Sequence, residues 1–557
     1  MGTNYKRQIT GSLVAILVAT LSLGGCAPMA TVDTVSPLVP ITLVANQGND
    51  ELKNARLHLK SADQLLDSNA SASMAEYEAA TMLSLEALTD LSGAKASEAV
   101  ELYNYSVARL VEAIIASGQK PWEHEIRLAG PDGPLWLKLD ANTEGAYIPG
   151  TDRLLAADRM EIGGTHFTNR VRIDGVGAPF VSAGPGRKEP WSPDTHYYGV
   201  TAEFTFSDSH GTIEILDPIE TTRINLAGES RPVAADLSAP LAFGIAETRV
   251  DTLGIRRLLS TDRFMSAAKL MMVGPYRANR TPVILIHGLG DAPVTFTALA
   301  NGLNTSPEIR EKYQFWVFQY PSGLPFPYSA SLLRHAIDEV YQKYPQTPKA
   351  ILIGHSMGGL VADLIVRDSG TQYVRDVLGK PLDQFRLTPD QVKIMQDALV
   401  FEASPHVSGA VFIATPHRGA EMASGPLGRF GASLVRLPGN LIMLGPKVLS
   451  QLQANEEEEL INRFPNSIDT LRPEARVITA MDHLPIKSSI ACYSIIGDED
   501  SGEVPLAESS DGIVPYSSSH LPSARSELVV PYGHSYVQSS PECIAEIERI
   551  LLTSLRN

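Results

Sequence analysis

Basic excess is the first thing this 557-residue chain lacks: its formal net charge is −17. Nucleic-acid partners are excluded on that ground, because phosphate recognition needs clustered Lys and Arg. Cysteine is scarce too, at three residues, so no disulfide framework holds the fold together. The chain contains no HExxH, no CxxC and no phosphate-binding glycine loop ending in Lys, which leaves metal-assisted and nucleotide chemistry without a signature. No cofactor is expected. No apolar run reaches the roughly 20 residues that a membrane-spanning helix requires. The longest one near the start, Leu13 to about Leu23, has instead the length of a signal-peptide core and follows the cationic Lys6 and Arg7.

What is present suffices for large cores: 44% of residues are hydrophobic, and the length implies two or more domains. The apolar start ends in Leu23-Gly24-Gly25-Cys26, which resembles the lipobox of bacterial lipoproteins. That resemblance implies a signal peptide over 1–25 and a lipidated Cys26 as mature N-terminus. It also implies a place in the bacterial cell envelope, with Ala27 after the cysteine favouring the outer membrane over the inner. Residues 26–47, rich in Pro, Val and Thr, then read as a tether. Export would put Cys492 and Cys543 in an oxidising compartment where they can pair, the alternative being two buried thiols.

Residues 48–120 carry three Ala/Leu/Glu-rich runs and read as a helical domain. In the last run Leu102, Tyr105, Val107, Leu110, Val111 and Ile114 recur at the spacing of one helical face. A plain helical bundle fits better than a peptide-binding repeat, because no 34-residue period is visible; the bundle is where an envelope protein partner would bind. Over 121–265 the period shifts toward two, and "EIRLAGPDGPLWLKL" and "VTAEFTFSDSHGTIEIL" predict strands joined by turns. This β-rich module assembles no recognisable site, and His166, His196 and His210 are scattered through it.

From 266 to the C-terminus short apolar runs alternate with helical patterns: "TPVILIHGLG", "QFWVFQYPSG", "KAILIGHSMGG" and "VSGAVFIATPHRG". Continuous apolar strands between helices predict an α/β architecture, a mostly parallel sheet covered on both faces. Functional residues of such sheets gather at the carboxyl ends of the strands. Ser356 sits there within Gly354-His355-Ser356-Met357-Gly358. A serine between two glycines at a strand-to-helix turn is a nucleophile elbow, the glycines allowing a turn too sharp for side chains. A serine hydroxyl needs a general base, and the base a third group to hold it. After the serine come Asp511 in "SSDGIVP" and His534 in "YGHS", the latter between the last strand pattern and the last helix pattern. His520 is the alternative base, and Asp498 or Asp500 the alternative acid.

These pieces, "HGLG", "GHSMGG", "ATPHRG", "SDGIVP" and "YGHS", stand in the order found in the α/β-hydrolase superfamily, and the segment from about Thr281 onward resembles its bacterial lipases and serine esterases. The resemblance implies a Ser356–His534–Asp511 triad, with backbone N–H groups of Leu289 and Met357 forming an oxyanion hole. It implies a cap or lid over 421–472, and an ester or lipid as substrate. The same triad would serve acyl transfer, and a non-catalytic envelope scaffold is the reading from another class. His355 reads as packing beside the nucleophile, and His417 as pocket lining or structural. The acidic loop "GDEDSGE" fits a solvated turn better than a calcium site.

Overall fold

A computed structural model describes residues 28–555 except 38, 40–49, 67, 131–132, 142–144, 189, 208, 249–257, 259–267, 426–427, 429–431, 434, 450 and 452–464. Residues 1–25, expected to be a signal peptide, and Cys26 lie outside the described residues, as do 27, 38 and 40–47 of the expected tether. The chain divides into two compact units, Pro28–Thr248 and a second one from Arg249 to Asn557.

In the first unit three helices, Asp50–Leu65, Ala70–Asp90 and Ala94–Ser117, precede a six-stranded sheet. Asn69 caps the second helix by accepting the Ala72 N–H, and Gly118 ends the third in the left-handed conformation that glycine adopts freely. The sheet runs Ile126–Gly130, Gly133–Asp140, His210–Leu216, Thr195–Ser207, Ala178–Pro185, Arg153–Ala156 in spatial order. The six apolar positions expected on one face of the third helix are all buried.

Helices and sheet share one core. Tyr77, Leu102, Leu110 and Ile114 pack in the same cluster as Leu137, Phe180, Phe204 and Ile213, and Tyr103 donates its hydroxyl to the Phe204 carbonyl while accepting the Phe204 N–H. The division into a helical domain at 48–120 and a β-rich module at 121–265 is therefore corrected. Each element shows one apolar face, and each face finds its partner in the other class of element. Part of the 26–47 tether is also structured, since Thr31–Thr34 pairs antiparallel with Met160–Gly163.

The second unit is built on a seven-stranded sheet: β1 (Lys269–Met272), β2 (Thr281–Ile286), β3 (Tyr313–Gln319), β4 (Ala350–His355), β5 (Val407–Ile413), β6 (Ala491–Gly497) and β7 (Glu527–Val530). Their spatial order is β1-β3-β2-β4-β5-β6-β7, and only β1 runs antiparallel to its neighbour. The mostly parallel sheet anticipated from the strand–helix alternation is what forms. Four helices matter below: α1 (Phe326–Lys343), α2 (Met357–Asp363), α3 (Gly439–Leu449) and α4 (Pro541–Ser554). On one face Leu285, Ile353, Ile413 and Ile495 meet Ile547, Ile550 and Leu551 of α4. α1 begins at Phe326 with Pro325 as its N-cap and Pro327 in its first turn, where a proline's missing N–H costs no helical hydrogen bond.

The strand order reverses at β2. The chain leaves β2 for β3 on one side and returns to β4 on the other. A crevice therefore opens at the carboxyl ends of β2 and β4, the usual place for a site in a parallel sheet.

Candidate active site

Register decides which turns meet in that crevice. Ile286, the last residue of β2, pairs with Gly354 of β4, so the His287–Gly290 turn lies beside Ser356. A Cβ added to Gly288 would stand 3.0 Å from the Ser356 Cβ.

Ser356 has φ 54° and ψ −127°. Holding a non-glycine residue there costs about 1–3 kcal/mol. Ser356 is the N-cap of α2, yet its side chain makes no capping bond; the hydroxyl is left for other work. A Cβ at Gly354 would meet the Gly358 carbonyl oxygen at 2.4 Å, and one at Gly358 would meet the Ile286 carbonyl oxygen at 2.1 Å. Both glycines are thus required by backbone passing close to backbone.

Asp498 follows β6 directly and donates its backbone N–H to Val530 of β7; the loops after these two strands carry Asp511 and His534. The Ser356 Oγ lies 2.8 Å from His534 Nε2, and His534 Nδ1 lies 2.7 Å from Asp511 Oδ2. The other Asp511 oxygen accepts N–H bonds from Ile513 at 3.0 Å and Val514 at 2.7 Å. The His534 backbone N–H donates to the Asp511 carbonyl at 2.8 Å. Asp511 and His534 are both buried.

The backbone of Leu289 lies in the turn after β2, and Met357 is the first residue of α2. A first-turn amide has no acceptor within its own helix, and this one adjoins Ser356. The turn is held by Tyr320, which donates its hydroxyl to the His287 carbonyl at 2.7 Å and stacks on the His287 ring. Ser322 accepts the Gly290 N–H at 3.0 Å.

Several residues do more, or other, than their sequence context indicates. His355, read as packing, places Nε2 3.0 Å from the His534 carbonyl oxygen. Burial, and then the neighbouring His534, push its pKa down to about 3, so it is a neutral donor. Asp291, just past the turn, accepts N–H and O–H bonds from Ala292 and Thr295, yet burial pushes its carboxyl up to about 6. Gln538 ties the two loops together, donating to Thr295 Oγ1 at 2.9 Å and to the Ser535 carbonyl at 3.0 Å. No local pattern announces these bonds, which join residues 179 and 243 positions apart.

The alternative residues lie in other bonds. His520 pairs with Glu527 at 2.7 Å, a carboxylate shared with Tyr516. Asp498 and Asp500 accept turn N–H groups from Ser501 and Ser510. His417 bonds Asp363 at 2.9 Å inside a buried group completed by Arg367, which makes its role structural. The Arg367 guanidinium, with the hydrogen bond to His417, holds Asp363 well below the ordinary carboxylate range despite its burial.

The disulfide expectation is corrected: Cys492 and Cys543 are free buried thiols. Cys543 packs on α4 with Ile547 against the sheet face that carries Tyr493 and Ile495. Successive strand residues face opposite sides, so Cys492, next to Tyr493, points to the other face. Burial and the nearby Asp363 push the Cys492 thiol up to about 12.

Within 421–472 the structure describes a short turn at Glu421–Ala423, α3 and a one-turn helix Ser467–Thr470, with 452–464 among those outside the described residues. Leu441 and Leu444 of α3 are buried, whereas Ile442 and Met443 are 55% and 68% exposed. The Asn466 Nδ2 donates to the Ala432 carbonyl within the segment, and the Ser467 N–H, donating to the Gly323 carbonyl, fastens the segment to the body.

Residues 283–546 match the model of a family described as the alpha/beta hydrolase family. With the strand order above, this makes the second unit an α/β-hydrolase fold. Among solved structures the chain is similar to a Bacillus licheniformis lipase in its mature form, at 12% identity over 49% of this chain and 92% of that one, with a TM-score of 0.29. For lipase 1 from Pelosinus fermentans the identity is 13%, the coverage 49% and 98%, and the TM-score 0.32. For the phospholipase PlaB from Legionella pneumophila they are 14%, 50% and 59%, and 0.29. No curated protein matches the chain by sequence.

Proposed function

We propose that the protein is a serine hydrolase of carboxylic esters, with Ser356 as nucleophile, His534 as general base and Asp511 as its orienting acid. One observation carries this reading: the unbroken line from Ser356 Oγ through the His534 ring to Asp511, at 2.8 and 2.7 Å. Asp511, held by two backbone N–H groups on its other oxygen, keeps the Nδ1–H tautomer of His534 and leaves Nε2 as acceptor. As Ser356 attacks the ester carbonyl, His534 takes its proton and becomes an imidazolium facing the Asp511 carboxylate. The tetrahedral oxyanion forms beside the Leu289 and Met357 amides. Donors of this kind contribute about 3–4 kcal/mol each when they are fixed in place beforehand. His534 then protonates the leaving alcohol, and water repeats the cycle on the acyl-enzyme.

Lipid or other acyl esters are the proposed substrate class. The apolar segment around α3, with Ile442 and Met443 exposed, serves as a cap facing such substrates. The lipobox-like Leu23–Cys26 supports a lipid anchor at Cys26 in the bacterial envelope, the outer membrane by the identity of Ala27.

The test is hydrolysis of p-nitrophenyl esters from acetate to palmitate by the full chain, beside Ser356→Ala, with fluorophosphonate labelling of Ser356. Serine-dependent turnover with a labelled Ser356 is expected. A fold that neither labels nor turns over any ester better than Ser356→Ala would refute the hydrolase reading and return the scaffold reading.

A further inference from the structure

We infer that His355 is a positioning residue, a neutral imidazole clamp whose Nε2–H grips the backbone carbonyl of His534 and sets the height of the base above the nucleophile. The inference rests on the serine-hydrolase reading above and adds to it a residue that neither reacts nor touches the reacting atoms.

His534 is held at three points. Its N–H donates to the Asp511 carbonyl at 2.8 Å, its Nδ1 bonds the Asp511 carboxylate at 2.7 Å, and its own carbonyl accepts from His355 Nε2 at 3.0 Å. The first two bonds both lead to Asp511 and leave the residue free to tilt about that side. Only the His355 bond comes from the nucleophile's own strand, β4. Ser356 and the clamp on its base are thus adjacent residues, and the Ser356–His534 distance is set over a few covalent bonds rather than through two long loops.

The surroundings of His355 fix its protonation. The ring is 4% exposed and lies 5.0 Å, centre to centre, from the His534 ring. Its Nδ1 is buried without a hydrogen-bond partner and faces the oxyanion turn, 3.4 Å from where a Gly288 Cβ would be. Protonating Nδ1 would create a buried orphan donor, and would set a second positive charge beside the imidazolium that His534 forms in the reaction. The charged and titratable groups around it are His534 and Asp511 from the acid and base loops, and His287 from the turn after β2. A neutral donor is what this place accommodates, and histidine supplies one on a rigid ring.

The test compares His355→Phe, which keeps the ring and deletes the N–H, with His355→Gln, whose amide N–H can replace it. Both are made in the full chain beside Ser356→Ala, and kcat is expressed per serine labelled to completion by fluorophosphonate, so that misfolded protein is not counted. Active-site geometry tolerates about 1 Å of error before losing about 100-fold in rate. The expected result for His355→Phe is a fall in kcat of about 10- to 100-fold with KM within about 2-fold and the acid limb of the pH–rate profile unmoved. His355→Gln is expected to recover most of that loss.

Wild-type kcat per labelled serine in His355→Phe would overturn the clamp, as would a His355→Gln as slow as His355→Phe. Loss of the acid limb in His355→Gln would make His355 itself the base. If His355→Phe yields no folded protein, the His355→Gln rate and pH profile still decide. Turnover in Ser356→Ala equal to wild type would strike the hydrolase reading itself, a failure distinguishable from that of the clamp.

Discussion

Glu78 offers the sharpest physical test of the first unit. It lies in the helix Ala70–Asp90, fully buried, and neither carboxyl oxygen has a hydrogen-bond partner. Gly211 faces it so closely that a Cβ there would stand 2.9 Å from Glu78 Oε1. Burial alone pushes its pKa from 4.5 up to about 7. Because the folded value is raised, the folded state holds the proton more tightly than the unfolded chain does. Stability is therefore fully present below about pH 4.5, declines as pH rises, and levels off once pH has passed about 7. That interval corresponds to about 3 kcal/mol in all, of which about 2.5 kcal/mol falls between pH 5 and pH 8.

Glu78→Gln keeps the shape and removes the titration. Glu203, whose pKa burial and Glu214 also raise to about 7, is present in both proteins and cancels from the comparison. The assay is amide hydrogen exchange of the full chain at pH 5 and pH 8, corrected for intrinsic rates and read in 70–90 and 210–216. Wild type should lose about 2.5 kcal/mol more of opening free energy over that range than Glu78→Gln does. An equal pH dependence in the two proteins would refute the claim that an unpaired carboxyl is buried there.

Gly358→Ala should remove the elbow, since the added methyl carbon would sit 2.1 Å from the Ile286 carbonyl oxygen; fluorophosphonate labelling is expected to disappear, with a loss of about 2 kcal/mol or more in thermal or urea unfolding. Asp511→Asn leaves the site's shape but places an amide where His534 Nδ1–H needs an acceptor, so ester turnover should fall by about 10,000-fold. Free Cys492 and Cys543 predict that reductant leaves the melting temperature unchanged. Neither thiol should react with a disulfide reagent until the chain is denatured.

The three residues of the Ser356–His534–Asp511 hydrogen-bonded line were legible because each sits in a local pattern. Ser356 stands between glycines that the elbow's close backbone contacts require, Asp511 in a tight turn, and His534 between the last strand and the last helix. The alternation of apolar strands with helices likewise implied the parallel sheet. Periodicity reports which face of an element is apolar, not what covers it. The helices of 48–120 and the strands beyond therefore read as separate modules, although Leu110 and Phe204 lie in one core. The same limit undid the disulfide: closeness of Cys492 and Cys543 to the C-terminus says nothing of the two sheet faces that separate them.

The sequence by itself determined the order of the chemistry along the chain, since a strained turn, a capped carboxylate and the strand-to-helix junctions are all short-range demands on residue type. Tertiary structure alone decided what the chemistry-bearing members of the thirteen histidines face. His534 meets Ser356, His520 meets Glu527, His417 meets Asp363, and His355 holds the His534 carbonyl. Those pairings follow from strand order and register, which are properties of the whole sheet, and a hydrogen bond between residues 179 apart leaves no mark on either one's neighbours in sequence.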